Sequence, residues 1–97
     1  MANTIPRHLG AEARALWQRL QADFVIADAA GTALLRCVCE CFERISEMRT
    51  IVKRDGAIIK DRFGQSRPHP ALAIERDARA GMISALRALR LSPDEIE

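Results

Sequence analysis

Three cysteines alternate along five residues, Cys37, Cys39 and Cys41, and no other residues in the chain are better suited to covalent or metal chemistry. Thiolates bind zinc or act as nucleophiles where the surroundings lower their pKa. A structural zinc site usually takes two ligand pairs at a C-x2-C type of spacing. Only His8 and His69 are on hand to complete such a set, and neither has a partner at ligand spacing. On a helix Cys37 and Cys41 share a face that Cys39 does not. The reading is therefore no metal, with the cysteines as small buried hydrophobes. His69 is a candidate general base, but no Ser, Cys or Asp constellation supplies a nucleophile beside it. Set between Pro68 and Pro70, it suits a turn or a helix cap instead. No catalytic residue and no cofactor is expected.

The chemistry that remains is charge. Thirteen arginines and two lysines stand against thirteen acids, for a net charge of +2. Asp94, Glu95 and Glu97 crowd the last four residues; without them the chain would be +5, a mildly basic body with an acidic tip. Arg49, Lys53, Arg54, Lys60, Arg62 and Arg67 form one basic cluster, with Arg7, Arg14 and Arg19 a second. Arginine is the better bidentate partner for phosphate, although a GC-rich genome also writes Arg for Lys. With Glu47, Asp55 and Asp61 interspersed, the first cluster reads equally as a phosphate-contacting surface or as a solvated face.

These side chains must be placed by helices. Leu34, Val38, Cys41, Ile45, Met48 and Val52 are spaced 4-3-4-3-4, the pattern of a long helix packed lengthwise against another. Leu35, Cys39 and Phe42 give the same helix a second apolar row. One row is expected to close the core and the other to meet a neighbouring subunit. The fold predicted is mainly α, with helices over about 10–24, 29–54 and 70–90. Gly10 and Asp28 are the expected N-caps, Gly56 takes the left-handed conformation that closes the second helix, and Pro70 opens the third. Ile58 and Ile59, with a turn at Asp61–Gly64, predict a small hairpin over about 57–67. Ile74, Ala78, Gly81, Met82, Ala85, Leu86 and Leu89 form the expected buried face of the third helix. The organisation is an irregular arm (1–8), one helical domain (9–93) and an acidic tip (94–97). Ninety-seven residues bury a modest core, which self-association would supplement. With no signal-peptide pattern, no apolar run long enough for a bilayer and an odd cysteine count, the expected location is the cytoplasm of a bacterial host, with no membrane partner.

Four strings, in this order and spacing, carry a family resemblance: Leu9 to Trp17, Asp28 to Cys37, Gly56 to Pro70, and His69-Pro70-Ala71-Leu72 running on to Leu89-Arg90-Leu91-Ser92-Pro93. From about Ile5 to Pro93 the chain resembles a compact phage terminase small subunit. The resemblance implies a ring-forming, non-catalytic adaptor that engages double-stranded DNA and hands it to the large terminase subunit, an ATPase and nuclease. DNA would be held weakly and salt-dependently through the two basic clusters, and the large subunit would meet Asp94, Glu95 and Glu97. Many relatives carry a longer basic N-terminal segment than Met1–His8, so packaging nearly indifferent to sequence, as in gene transfer agents, is the expected mode. Two other readings stay open: a dimeric helical DNA-binding regulator whose first two helices form a helix-turn-helix pair, and a protein-interaction module without nucleic acid.

Overall fold

Asp28 separates the first two helix-forming stretches. Its carboxylate accepts the Gly31 amide at 3.3 Å, and its carbonyl accepts the Thr32 amide and hydroxyl, each at 2.9 Å. The Gly31 bond satisfies a donor that the first turn of a helix leaves open, and the Thr32 amide bond is the first of the helix's own ladder. The Gly31 position has no room for a side chain: a Cβ there would stand 2.5 Å from Asp28 Oδ1 and 3.1 Å from Ile26 Cγ2. The glycine that weakens the first turn by its propensity is thus required by the cap itself.

The computed structural model describes residues 4–90. In chain order it has α1 (Ala11–Asp23), α2 (Ala29–Asp55), β1 (Ile58–Lys60), β2 (Ser66–Pro68) and α3 (Pro70–Ala88). The strands pair antiparallel, with Ile58 opposite Pro68, Ile59 opposite Arg67 and Lys60 opposite Ser66. Gly56 ends α2 at φ +90° and ψ 151°. The positive φ was expected, but the extended ψ sends the chain straight into the hairpin instead of through a left-handed closing turn. The third helix stops two residues short of the expected Arg90, which instead takes φ +62°.

α3 runs back along the whole of α2. Contacts descend in order from Ala88 and Leu89 near Leu34, through Gly81 near Cys41 and Glu75 on Arg49, to His69 on Asp55. In the heptad row Val38 and Ile45 are buried, while Leu34, Cys41, Met48 and Val52 are half-buried. The second row is occupied as well. Leu35 and Cys39 are fully enclosed, in a cluster with Leu9, Ala13, Trp17 and Ile26, and Phe42 packs against its edge. Over Leu34–Ile45, therefore, both rows find partners within the chain, and the expected free row is absent there. α1 is too short to cover more. It begins level with Glu43, whose carboxylate takes the Gly10 amide. Past that point the α1 side of α2 carries no helix.

The third helix buries or half-buries the expected face from Ala78 to Leu89, and departs from it only at Ile74. Ile74 is 44 % exposed, and its place on the seam is taken by Glu75, whose side chain is only 13 % exposed. Glu75 accepts hydrogen bonds from Arg49 Nε, at 3.2 Å, and from Arg79. A hydropathy pattern favours the isoleucine. The glutamate wins because two arginines neutralise it and the long stem of Arg49 carries its charge across from α2.

Candidate nucleic-acid and subunit surfaces

One carboxylate ties the end of α2 to the start of α3, and a second braces the hairpin between them. Asp55 takes both Nε and an Nη of Arg54, at 2.7 and 3.0 Å, and faces His69 Nε2 at 2.9 Å. His69 Nδ1 accepts the Ala71 amide at 3.0 Å, capping α3 as expected. A neutral ring in this position carries its proton on Nε2 and donates it to Asp55. The backbone amide of His69 also reaches Ala57 O at 2.7 Å. Asp61 holds the hairpin turn by accepting the Phe63 and Gln65 amides, at 2.8 and 3.0 Å, and Arg67 Nε at 2.9 Å.

These partners stabilise the ionised carboxylates. The Arg54 hydrogen bonds, then that of His69, hold Asp55 far below the ordinary carboxylate pKa. Arg67 and the two turn amides lower Asp61. A depressed native pKa gives stability that is complete above the unfolded value of about 3.9 and is lost as pH falls below it. In an NMR titration both carboxyls should therefore titrate below that value, with the Phe63 and Gln65 amide signals moving in step with Asp61. A midpoint for Asp55 at or above the free value would show that this tie does not form in solution.

The same pairs sort the expected DNA-contacting cations. Arg49, Arg54 and Arg67 are held by Glu75, Asp55 and Asp61. Arg14 donates to the Pro6 carbonyl at 3.2 Å and is half-buried, so it secures the arm to α1. Arg7, Arg19, Lys53, Lys60 and Arg62 are exposed and make no ion pair among the described residues. They fall in two places. Arg7 precedes α1 and Arg19 lies on it, whereas Lys53 lies about ten residues, roughly 15 Å, along α2 from the level at which α1 begins, close to the hairpin carrying Lys60 and Arg62.

Two apolar features accompany this charge. Phe63 at the hairpin tip is 73 % exposed, with the Arg62 guanidinium 5.0 Å from its ring centroid. Where α1 leaves α2 uncovered, a groove of about 620 Å³ opens between Gly10–Ala13 and the Phe42–Ile51 stretch of α2. Sequence patterning could not find either feature: Phe63 reads as one more aromatic, and the groove exists only because α1 stops at Gly10.

The cysteines divide between the faces of α2. Burial, with a smaller push from Glu40, raises the Cys39 thiol to about 11. Burial and neighbouring Cys37 raise Cys41 as well. Neither is primed as a thiolate, and among the described residues no group of three or more His, Cys, Asp or Glu is placed to hold a metal ion. His8 bonds Glu40 at 2.7 Å, far from the other histidine. No described helix is long and apolar enough to cross a membrane. α2, packed on one side by α3 and on another by α1, is not a free recognition helix of the kind that enters a major groove. Asp94, Glu95 and Glu97 lie outside the described residues.

A family model described as phage terminase, small subunit, matches residues 12–96. No curated protein and no solved structure matches the chain.

Proposed function

This chain belongs to the phage terminase small-subunit family, a family of DNA packaging, and from that premise we propose that it is the non-catalytic adaptor of a packaging motor. Several copies assemble into a ring, engage double-stranded DNA through phosphates, and deliver it to the large terminase subunit in the host cytoplasm. The family match over most of the chain carries this reading. The residues add physical support. Of the two basic clusters, the cations free to meet phosphate are Arg7, Arg19, Lys53, Lys60 and Arg62. Arg49, Arg54, Arg67 and Arg14 join them only by giving up a partner they already hold. Phosphate contact without a groove-reading helix gives weak binding with little sequence preference. The heptad row as far as Ile45 and the second row from Leu35 to Phe42 hold the monomer together, and self-association uses the surface past Ile45, where Met48 and Ile51 line the open groove. Asp94, Glu95 and Glu97 are the proposed contact for the large subunit.

Light scattering on the full chain should give a mass well above a dimer. A mobility-shift assay at about 50 mM salt should retain duplexes of unrelated sequence alike. A monomer at high concentration would remove the ring, and a blank shift at low salt would remove the DNA. A footprint on one defined operator would favour a regulator instead.

A further inference from the structure

The hairpin tip and the open groove are complementary, and they lie on different parts of the same chain. The tip presents Phe63, 73 % exposed, with Arg62 against its ring and Lys60 one strand position before the turn. The groove has an apolar lining that includes Ala13, Phe42, Met48 and Ile51, and its rim carries Glu12, Glu43 and Glu47. Glu12 makes no ion pair among the described residues, Glu43 takes the Gly10 amide, and Glu47 pairs with Arg44 on the exposed surface of α2. No hairpin residue lines the groove, so the chain does not fill it with its own tip. A largely exposed aromatic flanked by cations without ion pairs, and an unfilled apolar groove edged by carboxylates, complement each other in shape and charge.

We propose that Phe63 of one copy seats in the α1–α2 groove of the next, with Arg62 and Lys60 against the Glu12–Glu47 rim. This rests on the self-association proposed above and names the surfaces that make it. The contact joins two different patches, so it is heterologous. Each copy keeps one tip and one groove to offer, and the chain of contacts closes into a ring when the rotation allows. It also explains why the hairpin persists. Two strands of three residues are marginal alone, and here the hairpin gains a second support from the neighbour.

The test uses light scattering on two variants of the full chain. Phe63→Ser spoils the tip, and Thr50→Trp fills the groove from an exposed position that lines it. Both positions are exposed, so helical content and thermal unfolding should match the parent at a concentration where each is monomeric. Each variant alone should lose roughly thirtyfold or more in assembly affinity, as for removal of an anchoring aromatic, and run as a monomer. Mixed, the two should form a one-to-one pair, because the intact tip of Thr50→Trp still finds the intact groove of Phe63→Ser. Parent-like assembly of both variants overturns this contact while leaving the ring standing. So does a mixture that stays monomeric, since it shows that tip and groove do not meet. A monomeric parent overturns both.

Discussion

Trp17→Ala should remove about 3–5 kcal/mol of folding stability, the usual cost of deleting a buried aromatic from a packed core. Trp17 is 2 % exposed and holds α1 onto the second row of α2, among Leu9, Ala13, Ile26, Leu35 and Cys39. A domain of this size has a total stability near the lower part of the usual 5–15 kcal/mol range, so the loss consumes much of it. With an m-value of about 1–3 kcal/mol/M, the urea midpoint should fall by about 2 M. Circular dichroism is the appropriate probe, because the substitution removes the only tryptophan. Parent and variant must be compared at one protein concentration, since assembly adds to apparent stability. Phe63→Ser is the internal control: removing a larger-than-average apolar side chain there should cost no more than about 0.5 kcal/mol in the monomer. A midpoint shift under about 0.5 M for Trp17→Ala would mean that α1 is not docked on α2 in solution.

That contrast between two aromatics marks where the sequence stops being informative. Trp17 falls on a helical stripe with Leu9, Ala13, Leu16, Leu20 and Phe24, and such periodicity makes its burial legible. The helix starts were legible for similar reasons, because Gly10, Asp28 and Pro70 are local signals whose effect needs no tertiary context. The hairpin turn was legible from Asp61 and Gly64. Three features were not. The exchange of Ile74 for Glu75 depends on Arg49 lying opposite, 26 positions away in sequence. The division of cations into paired and unpaired depends on which carboxylates the fold brings near, so Arg54 and Lys53 look alike on paper and differ in the structure. The groove depends on the difference in length between α1 and α2, 13 and 27 residues, which leaves one flank of the longer helix bare. The reading that one row of α2 is left for a neighbouring subunit does not hold over Leu34–Ile45, where the chain covers both rows itself.

Retention of duplex DNA should collapse with salt, and the steepness of the collapse counts the copies that touch one duplex. Each neutralised phosphate contributes about 0.9 to the slope of log K against log salt. In one copy the unpaired cations of the two clusters are split between the α1 region and the hairpin end, so a single copy should neutralise about two or three phosphates. Raising salt from about 50 to 200 mM would then cost about 10–40-fold. A ring that sets several copies on one duplex reaches about six or more contacts through Arg7, Arg19 and Lys53 of each copy, with Lys60 and Arg62 taken up by the neighbour's rim, and the same change should cost about 10³-fold or more. Phe63→Ser separates the two cases, since it leaves every cation in place while removing the proposed contact: its slope should drop to the single-copy value. Lys53→Ala should reduce the slope without changing the assembled mass. Arg54→Ala should weaken binding less, because that guanidinium is already committed to Asp55. Binding that survives high salt with a slope near zero would remove phosphate contact as the mode of engagement, whatever the oligomeric state.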